Sequence, residues 1–151
     1  MRRLGFLLLA GLLLGAAGCG GDGLKRVPVR GRITAQGVPL DEAVIQFLPA
    51  GSTRGEGGIG RSDNEGNYSL TGSRNGIRGV VPGDYRVRVS RLVAPDGTPL
   101  GPDGREADTP GSHESLPREF ASLDATPLKF TVPPSGGVVD IDIPAKVLRR
   151  K

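Results

Sequence analysis

Apolar and polar residues alternate along six short stretches of the chain between Val27 and Ile143. A period of two is typical of β-strands that bury one face and expose the other. No stretch repeats apolar residues at the 3.6-residue period of a helix, so the pattern predicts an all-β domain. The apolar positions of the six stretches are Val27, Val29 and Ile33; Ala43, Ile45 and Phe47; Tyr68 and Leu70; Tyr85, Val87 and Val89; Leu128, Phe130 and Val132; and Val139, Ile141 and Ile143.

Turn-forming residues separate these stretches, at positions 36–39, 63–66 and 81–84. The turn at 63–66 predicts a hairpin between residues 59–62 and residues 67–71. Short strands joined by tight turns favour a small antiparallel seven-stranded β-sandwich, in which the two inner faces form the core.

The first 18 residues have the composition of a secretory leader. Arg2 and Arg3 precede an uncharged run over residues 4–17, followed by small residues. A membrane-spanning helix needs about 20 apolar residues, so this run is too short to span. A basic start, a short apolar centre and small residues at the end make up a signal peptide. We therefore predict that residues 1–18 are a signal peptide and that the mature chain is exported.

Cys19, the single cysteine of the chain, directly follows Ala17 and Gly18. This arrangement resembles a bacterial lipobox, which implies that Cys19 starts the mature lipoprotein and carries palmitate or other acyl chains. Each methylene buried in the membrane contributes about 0.8 kcal/mol to the free energy of membrane binding, so several acyl chains would give a stable anchor. The implied location is extracytoplasmic, on a bacterial membrane, facing the periplasm or the cell surface. The alternative is a plain signal peptide followed by an incidental thiol, which would be exposed in an oxidising compartment.

The mature chain is expected to have three parts. Residues 19–26 form a lipidated tether, residues 27–143 the β-sandwich domain and residues 144–151 a basic tail. Within the domain, residues 94–115 form a polar stretch with four glycines and four prolines. A loop of this length is uncommon in a small domain and is usually functional or mobile. We predict that residues 94–115 are a contact surface.

The net charge of +4 comes from the two ends of the chain. Of the 20 Lys and Arg residues, two lie in the leader and four in residues 146–151, which leaves 14 against 16 acidic residues. A nucleic-acid surface needs clustered basic residues, usually with aromatic side chains that stack on bases. The sequence has neither feature, so no nucleic-acid partner is expected.

Four short motifs occur in order between Val27 and Ile143. They cover residues 31–49, the spacing Asp63, Gly66 and Tyr68, residues 82–89, and residues 116–132. The first three resemble the carboxypeptidase regulatory-like, or transthyretin-like, domain family. The last is similar to small secreted lipoproteins of planctomycete-type bacteria. The resemblance implies a prealbumin-like or Ig-like sandwich outside the cytoplasm and without catalytic activity.

Two sets of polar residues could in principle bind a metal ion or act in catalysis. Oxygen-bearing side chains alternate from Asp63 to Asn67 as in calcium loops, but Arg74 stands where such a loop has its Glu. A hairpin turn with positive φ at Gly66 is therefore favoured. His113 lies in the polar stretch without a positioned neighbour, so we expect a solvated histidine and not a general base. No catalytic residue, metal ligand or cofactor is predicted.

A covalent cross-link and a sugar-binding face are also disfavoured. Lys25 shares the inward parity of Val27, as an intramolecular isopeptide bond would require, but Asp140 and Asp142 have outward parity. We expect these groups to be ordinary solvated charges. The chain has no Trp, and of its Phe and Tyr residues on which a sugar could stack, only Phe120 is expected to be exposed.

The favoured function is a lipid-anchored accessory module that binds an envelope protein. The alternatives are a glycan- or substrate-binding accessory lipoprotein and a structural coat component. A convergent polar pocket would favour substrate binding, and multimers that survive detergent extraction would favour a coat.

Replacing the proposed lipid attachment residue, Cys19→Ala, should move the chain from the membrane fraction to the soluble fraction, because the acyl chains are lost. Fractionation and intact-mass measurement of both forms check this. Equal partitioning of the two forms would contradict lipidation at Cys19.

Overall fold

The computed structural model describes residues 23–74 and 76–147. This part of the chain contains twelve short strands, a 3₁₀ helix at Glu106–Asp108 and a four-residue α-helix, α1, at Arg118–Ala121. The predicted all-β class is confirmed. The strands are β1 Val29–Ala35, β2 Val38–Pro39, β3 Val44–Pro49, β4 Gly58–Arg61, β5 Asn67–Ser69, β6 Thr71–Gly72, β7 Gly83–Ser90, β8 Leu92–Val93, β9 His113–Glu114, β10 Lys129–Val132, β11 Gly137–Val138 and β12 Ile141–Ile143.

The first sheet is centred on β1. On one side β1 pairs in parallel with β11 and then β12, and on the other side it pairs antiparallel with β5 and then β2. The predicted β-sandwich is confirmed and its strand pairs are mostly antiparallel, but β1 is an exception because the first and last strands run in the same direction. Alternation of apolar residues identifies a buried face but carries no information on strand direction.

The second sheet has the strand order β10-β7-β3-β4-β6, and all its pairs are antiparallel. Its inner face carries Ile45, Phe47, Tyr85, Val87 and Val89, each with at most 1% of its surface exposed. The Phe47 and Tyr85 rings lie 5.6 Å apart between centroids, in a tilted arrangement. These side chains pack with the inner face of the first sheet in one hydrophobic cluster.

The turn at residues 63–66 forms as expected, and the hairpin around it forms only in part. Asp63 Oδ1 accepts hydrogen bonds from the N–H groups of Glu65 and Asn67, both at 2.9 Å, and Gly66 has a φ of 81°. These bonds, the one from Asn67 first, lower the pKa of Asp63. After the turn, β5 pairs with β1 and only β6 pairs with β4. The chain changes sheets at Leu70, which is buried.

The last strand is interrupted where it passes Gly31. Between β11 and β12 the Val139 carbonyl points at β1, and a Cβ added to Gly31 would lie 1.8 Å from its oxygen. The Tyr68 hydroxyl donates to the same oxygen at 2.6 Å. Burial raises the pKa of Tyr68, and the nearby charge of Asp140 raises it further, so Tyr68 remains a donor at neutral pH. Interruptions of this kind divide the expected seven strands into shorter elements.

Phe120 is buried, with 5% of its surface exposed, which corrects the expectation that it is accessible. It lies in α1, which packs beside β7 beyond the point where β10 ends. The Arg88 guanidinium holds α1 in place by donating from Nε to the Ala121 carbonyl at 2.7 Å. Leu128, Phe130 and Val139, expected in the core, are partly buried at its margin.

Gly31→Ala should destabilise the fold by about 3 kcal/mol, because the new methyl group overlaps a backbone carbonyl that cannot rotate away. Gly101→Ala is the matched control, since its Cβ would meet nothing within 4 Å. Chemical denaturation of both variants measures the difference. Equal stability of the two would show that the Gly31 contact with Val139 is dispensable.

Candidate functional site: the loop pocket

The polar stretch at residues 94–115 is anchored at both ends. It leaves the second sheet through β8 and returns through β9, which pairs antiparallel with β8. Between these strands most residues are exposed. The turn after Ala94 is closed by Asp96, whose Oδ1 accepts from Thr98 N–H at 2.8 Å, and this bond lowers the pKa of Asp96. The expected contact surface is therefore an exposed loop on a short two-stranded base.

Glu114 fastens this base to the sandwich. Its carboxylate accepts three hydrogen bonds: from Ser90 Oγ at 2.6 Å, Arg91 N–H at 2.8 Å and Leu116 N–H at 3.1 Å. Hydrogen bonds to a charged acceptor are stronger than neutral ones. One side chain thus joins the end of β7, the start of β8 and the segment that leaves the loop.

Arg91 lies under the loop with its charge compensated. The residue is 9% exposed, its Nη2 contacts Asp41 Oδ1 at 2.6 Å, and its Nε donates to the Asp41 carbonyl at 2.8 Å. Its Nη1 donates to Ser115 Oγ at 3.4 Å. A guanidinium this deep is tolerated because a carboxylate pairs with it.

His113 is half-buried, which corrects the expectation of a solvated loop histidine. It is the cross-strand partner of buried Val93, so the two side chains share one face of the β8–β9 pair. Nδ1 lies 3.5 Å from the Gly111 carbonyl oxygen. Nε2 is shielded from solvent and has no hydrogen-bond partner among the described residues.

A pocket of about 420 Å³ lies between the loop and the end of β1. We call it the loop pocket. Its walls are mostly apolar, and its polar positions come from Arg91, Asp96, His113 and Ser115. The apolar lining residues are Ala35, Val38, Pro39, Leu40, Val93, Pro95 and Val147.

The arrangement does not assemble a nucleophile. Ser115 is fully buried, and its hydroxyl donates to the Arg91 carbonyl at 2.8 Å. His113 and Ser115 have no hydrogen bond to each other among those that the described residues form. Within residues 23–74 and 76–147, no cluster of three or more His, Cys, Asp or Glu side chains could hold a metal ion.

The two carboxylates weighed for an isopeptide bond with Lys25 accept hydrogen bonds from β1 and the turn after it. Lys25 is exposed. Asp140 Oδ1 accepts from Arg32 N–H at 2.8 Å, and Asp142 Oδ1 accepts from Thr34 Oγ1 at 2.5 Å and from Gly37 N–H. The bond from Thr34, then that from Gly37, lowers the pKa of Asp142. Both carboxylates thus tie the last strand to β1.

Sequence reasoning missed the group formed by Arg91, Glu114 and Asp41. One signal was available, because Arg91 continues the inward parity of Tyr85, Val87 and Val89. A charged residue at an inward position requires a buried partner. The identity of that partner, Asp41, is not visible in the local pattern.

Cys19 lies outside the described residues. No helix in the described part of the chain is long and apolar enough to cross a membrane. No protein-family model, curated protein or solved structure matches the chain.

Glu114→Gln should loosen the loop base, because a neutral amide replaces the charged acceptor on which three donors converge. Weakening these hydrogen bonds by removing the charge of their acceptor costs about 1.5 kcal/mol, or roughly tenfold in the local opening equilibrium. Hydrogen exchange of the Ser115 N–H, which bonds to the Arg91 carbonyl at 2.9 Å, reports this opening. Glu106→Gln, in the exposed 3₁₀ helix, is the control. Equal exchange rates in both variants would contradict the role of Glu114.

Proposed function

We propose that the chain is a lipid-anchored, extracytoplasmic β-sandwich module without catalytic activity, which binds an envelope protein through its 94–115 loop. The resemblance to carboxypeptidase regulatory-like domains is part of this proposal. The supporting observation is the position of the loop relative to the tether.

Tether and loop pocket lie at opposite ends of β1. The tether leads into Val29, and Ala35 lines the loop pocket. Seven residues of strand span about 20 Å. We call the Val29 side the tether end and the Ala35 side the loop end. A lipid on Cys19 would hold the tether end at the membrane and direct the loop end away from it, toward other envelope proteins.

The loop end has the surface that a protein partner needs. Val38, on the rim of the loop pocket, is 65% exposed, and the pocket walls are mostly apolar. Loops held by a rigid base are common carriers of binding function. The bonds of Glu114 and Arg91 supply such a base.

Binding of a small ligand in the loop pocket is a second candidate. The observation that favours it is His113 Nε2, a buried polar atom without a partner among the described residues. Such atoms usually find a partner, and a ligand with one polar group on an apolar body would supply it. The pocket has no Phe or Tyr in its lining, so a sugar is not the favoured ligand.

In-cell photo-cross-linking tests the main proposal. A photoreactive residue replaces Val38 at the loop end or, as control, Val138 at the tether end, which is 61% exposed. We expect a reproducible protein adduct from position 38 and not from position 138. The adduct should disappear in the Cys19→Ala background, because the partner is reached only from the membrane.

Identical adducts from both positions would indicate non-specific capture and contradict binding through the loop. An adduct at position 38 that persists in the Cys19→Ala background would support binding through the loop. It would contradict the proposal that binding requires the lipid anchor.

A further inference from the structure

A second cavity, of about 600 Å³, opens at the tether end. Buried Val29 and Leu70 form its floor, and Arg30 and Arg78 stand at its rim. No acidic residue contributes to its lining. We call this cavity the arginine cleft.

Strand pairing places the two arginines and two hydroxyls on one surface. Arg30 is the cross-strand partner of Ser69, and Arg78 is the bridge partner of Thr71. Ser69 and Thr71, on either side of buried Leu70, both line the cavity with the two arginines. The Thr71 hydroxyl donates a long bond of 3.4 Å to the Ile59 carbonyl.

The guanidinium charges of Arg30 and Arg78 are uncompensated. Neither the Arg30 nor the Arg78 guanidinium has a hydrogen-bond or ion-pair partner in the part of the chain that the structure describes. By contrast, Arg61 pairs with Glu42 at 2.9 Å, and Arg91 pairs with Asp41. Two unpaired guanidinium groups on one cavity attract an anion.

We propose that the arginine cleft binds a phosphoryl group carried on a small organic body. Guanidinium groups bind phosphate oxygens bidentately, and hydroxyl donors add contacts to the remaining oxygens. Ser69 Oγ has no partner among the described residues and is free to donate. The cleft volume exceeds that of a bare ion, and its apolar floor suits an organic group next to the phosphate.

The position of the cleft allows two sources of this group, a phospholipid headgroup or a soluble phosphate ester. The site itself follows from the side chains and does not depend on the lipid anchor. Phosphoryl binding at the cleft is a separate proposal from protein binding at the loop end. An experiment can contradict one of the two proposals and leave the other unaffected.

Titration of the full chain in nonionic detergent with glycerol 3-phosphate, followed by phosphorus NMR, tests the site. We expect saturable binding, weakened roughly tenfold or more by the double variant Arg30→Gln and Arg78→Gln. The matched control, Arg86→Gln with Lys129→Gln, removes the same charge from a cross-strand pair of the second sheet and should leave the affinity within about twofold. Thermal melts of both double variants verify folding.

Adding phosphatidylglycerol to the micelles distinguishes the sources. Displacement of glycerol 3-phosphate by the lipid, lost in the cleft variant, identifies a headgroup site. Binding that the lipid does not displace identifies a soluble ester site. Absence of saturable binding to either probe, or equal weakening by both double variants, would overturn the proposal.

Discussion

The fold depends on the contact between the Val139 carbonyl, Gly31 and the Tyr68 hydroxyl. A glycine at position 31 lets a carbonyl of the last strand approach the first strand more closely than any side chain would permit. The buried Tyr68 hydroxyl then satisfies that carbonyl, which would otherwise lack a donor inside the fold. Arg32 N–H and Asp140 Oδ1, 108 residues apart, hold the same junction from the exposed side. Together these contacts close the first sheet around β1.

A central β1 separates the molecule into two ends, the tether end and the loop end. Strands from the start, middle and end of the chain all pair with it, so its direction orients every neighbouring loop. The arginine cleft lies at its beginning, and the loop pocket lies at its end. With the proposed lipid anchor on Cys19, the two proposed sites would face different surroundings.

Charge compensation distinguishes the sites chemically. At the loop end Arg91 is paired with Asp41, and Glu114 is saturated by three donors, so these charges stabilise the loop base. At the tether end Arg30 and Arg78 face a cavity without carboxylates. A paired charge inside a fold is a structural element, whereas unpaired charges of one sign on a cavity create a potential that favours a ligand.

The amino-acid sequence alone determined the inward face of most strands and the turn at Asp63, because both depend on neighbours a few residues away. It did not reveal that β1 and β12 run parallel, that the strand after Asp63 divides between two sheets, or that Phe120 is buried. Nor did it identify Asp41 as the partner of Arg91 or show that His113 is half-buried. An alternating pattern specifies which side chains are buried but not which strand lies alongside or in which direction. Those choices rest on contacts between residues far apart in the chain, and only the tertiary structure brings these together.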